Sequence, residues 1–98
     1  MPHFIAIHKW KKENTSTVLK KVIEVLKQLP EDICICHSYS KDLEAWCIYK
    51  AKTEDAGEQI KKLFEEHVPE METEVKSVLQ FYPPSEDLYS LIYDLVKS

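Results

Sequence analysis

The spacing of the apolar residues changes repeatedly along the chain, and the order of these spacings is what most constrains the fold. Apolar residues that alternate with polar ones predict four strands, at His3–Trp10, 33–39, 43–50 and 72–82. Between and after these strands the apolar residues recur at helical spacing, and the candidate N-caps are one of the residues 14–16, Thr53 and Ser85. The predicted order of elements is therefore β-α-β-β-α-β-α.

Each predicted helix has one apolar stripe, and prolines mark its limits. The stripes comprise Val18, Leu19, Val22, Ile23, Leu26 and Leu29; Ala56, Ile60, Leu63, Phe64 and Val68; and Leu88, Leu91, Ile92, Leu95 and Val96. This order predicts an α+β fold of the ferredoxin-like βαββαβ class. It has a four-stranded antiparallel sheet with two helices on one face, plus an extra C-terminal helix. We expect a single domain over 1–98, with the βαββαβ core at 1–83 and the last helix at 85–98.

Two helices can cover only one face of a four-stranded sheet, and both faces of the predicted strands carry apolar residues. The uncovered face must be buried by the last helix, by a second copy of the sheet, or by both. The sequence therefore predicts a homodimer. It leaves open whether the last helix packs on its own sheet or on the partner.

The composition excludes several classes of function. A single glycine rules out glycine-rich phosphate loops, and a net charge of −4 argues against nucleic-acid binding. The chain has neither a signal-peptide pattern nor an apolar stretch long enough to cross a membrane. Three cysteines within apolar runs indicate reduced thiols, and so we expect a cytoplasmic protein with no nucleic-acid or membrane partner.

The polar turn between the second and third strands suggests a register. If Lys41 and Asp42 are the central turn residues, Cys36 lies opposite Cys47 and His37 lies opposite Trp46. Cys36, Cys47, His8 and His37 are then the candidate ligands for a metal such as nickel or another divalent ion. The alternative is that the cysteines are small core residues and the histidines are hydrogen-bonded in the core. His3 and His67, at element ends, are expected on the surface.

Aromatic residues on the strands suggest a pocket for a flat ligand. We expect Trp10, Tyr39 and Trp46 to line it, although strand aromatics are also typical of a dimer interface. The third strand lacks the basic-glycine start of an RNA-binding βαββαβ domain. Hydrolytic motifs are missing as well, and the sequence favours a binding protein over an enzyme.

The segment CHSYSKDLEAWCIYKAKTEDA, at 36–56, resembles a family of short ferredoxin-like proteins formerly of unknown function. The matching residues are Ser38, Tyr39, Trp46, Cys47, Tyr49, Ala51, Glu54, Asp55 and Ala56. The resemblance implies a dimer of the α/β-barrel type and a nickel site, since one member is described as nickel-binding. Ile60 departs from the pattern, because members commonly have a histidine at that point of the second helix.

Three functions remain open at this stage. The first is a homodimer that binds a metal ion in the cleft between its sheets. The second is a small-substrate enzyme of the dimeric α/β-barrel kind, resembling cofactor-independent monooxygenases or haem-handling proteins. The third is a protein-interaction domain without a small-molecule site.

Overall fold

The computed structural model describes residues 1–84 and 86–97. Its strands are β1 (His3–Trp10), β2 (Ile33–Lys41), β3 (Glu44–Ala51) and β4 (Met71–Val78). Its α-helices are α1 (Thr15–Lys27), α2 (Ala56–His67) and α3 (Glu86–Lys97), and a short 3₁₀ turn (Lys12–Asn14) precedes α1. The predicted order is confirmed over the described residues. The predicted cap at Ser85 lies outside them.

The four strands form one antiparallel sheet in the order β2-β3-β1-β4. The face of the sheet under α1 and α2 carries the buried residues of β1 and β3, among them Phe4, Ala6, Cys47 and Tyr49. We call the opposite side the open face; its central side chains are Ile5, Ile7, Trp46 and Ile48, which are half-buried.

Helix α2 packs closely on β1 through the chain's one glycine. A Cβ atom at Gly57 would lie 2.9 Å from Cε1 of Phe4, which is closer than a carbon atom can normally approach. The apolar stripe predicted for this helix is confirmed, with Ala56, Ile60 and Phe64 buried. Thr53 is not the N-cap residue that we expected. That position belongs to Asp55, and the Thr53 hydroxyl donates a hydrogen bond to the Asp55 carboxylate.

The stripe predicted for α1 is only partly buried. Val18 is buried and Val22 packs against the core, whereas Leu19 and Ile23 are 50% and 52% exposed. Val25, which lies outside the predicted stripe, is buried in their place. The helix is therefore rotated about its axis relative to the face that the spacing suggested.

The predicted register of the β2–β3 hairpin is wrong. Lys41 pairs with Glu44, and so Asp42 and Leu43 form the two-residue loop. Asp42 adopts a left-handed φ of 56°, a conformation that aspartate tolerates better than most residues. The turn lies one residue later than expected, and Cys47 therefore pairs with Ser38 rather than with Cys36.

A β-bulge at Cys36 compensates for this later turn by shifting the pairing of the first residues of β2. Pairing shifts by one residue between Ile35 and His37, so that Ile35 lies opposite Tyr49 and His37 lies opposite Ile48. Without the bulge, Ile35 would turn to the open face, because a one-residue slip moves every side chain of a strand to the other side. The bulge keeps the apolar start of β2 in the core and leaves Cys36 without a pairing partner.

Strand β4 ends earlier than the alternation predicted, at Val78 rather than at Tyr82. Strand β1, its neighbour in the sheet, begins at His3, and His3 pairs with Val78. Beyond Val78, β4 therefore has no residues of β1 to pair with. The following segment, 79–83, therefore leaves the sheet. Leu79 and Phe81, which lie within the predicted strand 72–82, are 51% and 66% exposed.

Helix α3 makes few contacts with the rest of the chain. Leu88 and Leu91 are half-buried, whereas Leu95 and Val96 are 68% and 82% exposed. The sequence left open whether this stripe packs on its own sheet or on a partner chain, and in the single chain its distal part is exposed. The helix adds to an elongated molecule that measures 49 × 28 × 21 Å. None of the described helices is long and apolar enough to span a membrane.

Candidate functional site

The sheet separates the four residues predicted as metal ligands. His8 and Cys47 are 1% and 2% exposed and lie on the face that the helices cover. Cys36 and His37 are exposed and line a cavity on the open face. A metal ion has to contact all of its ligands at bonding distance, so these four residues of one chain do not fit a single ion. The described residues contain no group of three or more His, Cys, Asp or Glu side chains that could hold a metal.

His8 is a core histidine. Its ring lies 4.6 Å from the ring of Phe64, and its Nδ1 atom lies 3.0 Å from the Thr73 hydroxyl oxygen. The Nε2 atom is buried and has no hydrogen-bond partner among the described residues. Burial lowers the pKa of His8 to about 4, since an apolar environment disfavours the charged imidazolium. His8 is therefore neutral at physiological pH.

Cys47 belongs to the same buried layer. Its sulfur lies 3.4 Å from the Ser38 hydroxyl oxygen, and its neighbour Tyr49 is fully buried. Burial raises the pKa of the Tyr49 hydroxyl, and the nearby Cys47 adds to this shift. Cys47 is therefore a small core residue, which was the alternative to a metal ligand. Cys34 and Cys36 do not, because both are exposed.

The cavity on the open face has a volume of about 640 Å³ and lies at one end of the sheet. All four strands contribute to it, and segment 79–83 forms its outer wall. The bulge in β2 is what allows the consecutive residues Cys36 and His37 to line the same cavity. The ring of His37 stacks on that of Tyr39, with centroids 6.2 Å apart and planes inclined by 12°.

The three aromatic residues predicted for a ligand pocket lie in different places. Tyr39 lines the cavity, and Trp46 is its neighbour across the β2–β3 pairing. Trp46 lines a separate depression beside the hairpin turn, as does Trp10. Trp10 is largely buried, and its Nε1 donates a hydrogen bond of 3.2 Å to the Thr15 hydroxyl. Trp10 therefore anchors the beginning of α1.

Sequence reasoning missed part of the cavity wall. His3, expected on the surface, is 9% exposed and lines the cavity together with Lys50. Phe81 and Tyr82 were assigned to a strand but belong to the wall. The adjacent prolines Pro83 and Pro84 set the end of the predicted strand at Tyr82, because proline cannot donate the backbone hydrogen bonds of a ladder, but they do not indicate that pairing ends at Val78.

Comparison with known proteins leaves the family open. No protein-family model matches the chain, and no curated protein does. Among solved structures, the chain is similar to one titled "De novo designed protein Foldit4", with 14% identity and a TM-score of 0.44. That match covers 79% of this chain and 93% of the other. The expected resemblance to a nickel-binding family thus stays a prediction.

Proposed function

We propose that the chain is a ferredoxin-like domain that forms a homodimer through the open face of its sheet and binds a small molecule in the cleft at one end of that face. The observation that carries the proposal is that the apolar side chains at the centre of the open face are only half-buried, unlike those under α1 and α2. Ile5, Ile7, Trp46 and Ile48 lie there, and the cavity adjoins them.

The exposed stripe of α3 supports the same proposal. Exposed apolar side chains are common singly, but a continuous apolar surface usually marks a site of association. Here the centre of the open face is half-buried, and the distal part of the α3 stripe is exposed in the single chain. A second copy would cover both. The exposed thiols of Cys34 and Cys36 suit a reducing compartment, and we place the protein in the cytoplasm.

The test of dimerisation is light scattering of the purified protein at micromolar concentration. We expect a species of twice the 11.5 kDa chain mass. Ile7→Lys should shift the protein to the monomer, because it places a charge at the centre of the proposed interface. Leu19→Lys is the matched control: this exposed leucine lies on α1, away from the open face, and its substitution should leave the dimer intact.

Two results would contradict the proposal. One is a wild-type protein that scatters as a monomer throughout the concentration range. The other is a dimer that Ile7→Lys and Leu19→Lys weaken equally. Circular dichroism of both variants checks that each keeps its secondary structure.

Metal binding is the second candidate function, favoured by the bulge that brings Cys36 and His37 to the same cavity. One subunit would supply a thiolate and an imidazole, and a two-fold pairing of open faces would supply two of each. Thiolate and imidazole are suitable ligands for nickel or zinc. His8 and Cys47 are not part of this candidate site.

Elemental analysis and titration with Ni²⁺ or Zn²⁺, on protein without an affinity tag, test the metal candidate. We expect one ion per dimer, lost in Cys36→Ser and kept in Cys34→Ser. Cys34 is a suitable control because it is also exposed but does not line the cavity. Equal binding by both variants, or none by the wild type, would exclude the site.

A further inference from the structure

The residues that line the open-face cavity have a charge opposite to that of the whole chain. The chain carries a net charge of −4, yet no aspartate or glutamate lines the cavity. Lys50 supplies a positive charge, and the imidazoles of His3 and His37 stand nearby as further polar groups. A site lined in this way favours an anionic group over a cationic one.

Lys50 has no carboxylate beside it on the sheet. Its pairing partners are His3 on β1 and Cys34 on β2. Over residues 1–84 and 86–97, no ion pair involves Lys50, whereas Lys76 on the same face lies 3.6 Å from a carboxylate oxygen of Glu74. The ammonium group of Lys50 therefore remains available to a ligand.

Aromatic side chains form much of the apolar lining of the cavity, beside aliphatic residues such as Ile48 and Leu79. Tyr39, Phe81 and Tyr82 are 62%, 66% and 83% exposed, although each carries a large apolar ring. The Gln80 side-chain amide donates a hydrogen bond of 2.9 Å to the Pro83 carbonyl oxygen and links the two ends of the outer wall. Rings exposed in this way offer stacking surfaces to a planar group.

From these observations we propose that the cavity binds a small planar aromatic carboxylate. The carboxylate pairs with the Lys50 ammonium, and the aromatic ring packs against Tyr39, Phe81 and Tyr82. The cavity volume of about 640 Å³ lies within the range of small-molecule sites, which usually combine apolar walls with a few polar groups. This inference rests on the proposed cleft site and names its ligand class.

The experiment titrates the dimer with three probes and follows backbone amide resonances by NMR. Cinnamate carries both the ring and the charge, cinnamamide lacks the charge, and cyclohexanecarboxylate lacks the aromatic ring. We expect cinnamate to bind more tightly than either of the others. Its affinity should exceed that of cinnamamide by about fivefold, which is typical of an exposed charge pair. The resonances that shift should belong to the cavity residues.

Lys50→Met should weaken cinnamate binding by about fivefold and leave cinnamamide binding unchanged. Lys76→Met is the matched control, because this lysine lies on the open face but outside the cavity. Phe81→Ala should weaken cinnamate and cinnamamide alike. Light scattering of each variant shows whether it is still a dimer.

Several outcomes would overturn the inference while leaving the dimer standing. They are equal binding of cinnamate and cinnamamide, equal effects of Lys50→Met and Lys76→Met, and no binding of any probe to a dimer. Binding that requires a divalent ion and Cys36, but not Lys50, would also overturn it and support the metal candidate. A monomeric protein that binds no probe would contradict both the inference and the proposed function.

Discussion

At the scale of the residue, similar side chains have different roles because they lie on different faces of the sheet. His8 and His37 both lie mid-strand, but one is buried against Phe64 and the other lines the open-face cavity. From the sequence, either histidine could be a metal ligand or a hydrogen-bonded core residue. The core alternative holds for His8, and His37 stays a candidate for binding.

The buried neutral His8 predicts a dependence of stability on pH. Its pKa is about 4 in the folded protein and 6.5 ordinarily. As the pH falls from 6.5 to 4, the unfolded chain binds a proton that the folded chain excludes, and the free energy of unfolding decreases. The full decrease is about 3 kcal/mol, and it does not grow further below the lower pKa.

Denaturant unfolding at a series of pH values checks this prediction. His8→Phe removes the titrating group, keeps a ring against Phe64 and should flatten the dependence in this window. The exposed His67→Gln control should retain it. The Lys21 ammonium, hydrogen-bonded to Glu70, lowers the pKa of that carboxyl, and so part of the acid sensitivity remains in every variant. An identical slope in His8→Phe and the wild type would refute the assignment.

At the scale of the element, the hairpin register differs from the prediction, and the last helix has an apolar stripe whose packing surface the sequence left open. The stripe of α3 was predicted correctly as a pattern, but a pattern does not identify the surface on which it packs. In one chain the distal part of the stripe is exposed. The β2–β3 turn differs for a similar reason, because Ser40, Lys41 and Asp42 are all acceptable turn residues and the loop is set by the pairing on either side of it.

The exposed distal stripe of α3 leads to a prediction about Leu95. Leu95→Ser should leave the unfolding of dilute, monomeric protein unchanged, because the side chain is 68% exposed in the single chain. It should weaken dimerisation by about tenfold if the side chain is buried in the dimer. Ile23→Ser, at a side chain 52% exposed on α1, is the matched control and should not weaken the dimer.

Sedimentation equilibrium measures the dimer constant, and thermal unfolding at low concentration measures the stability of the single chain. A Leu95→Ser protein with the wild-type dimer constant would show that α3 lies outside the interface. A large loss of stability in the dilute protein would show instead that α3 packs on its own domain.

At the scale of the whole molecule, one face of the sheet carries the core and the other carries the candidate function. The helices shield His8, Cys47 and Tyr49 from solvent, so these groups contribute to packing. The open face holds the cavity and the exposed thiols of Cys34 and Cys36. A dimer through this face would protect its apolar centre and enclose the cavity between two sheets. Both candidate functions therefore depend on the same association.

The sequence by itself determined the order of elements, the buried side of α2 and the two faces of β1, but not which of these faces the helices cover. Apolar periodicity is a local property, and it places Phe4, Ala6 and His8 on one face whatever the rest of the chain does. The tertiary structure alone decided the hairpin register, the bulge at Cys36 and the end of β4. These features depend on pairing between residues far apart in the chain, where a shift of one residue exchanges the buried and open faces. That exchange is why Cys36 lies in the cavity instead of opposite Cys47.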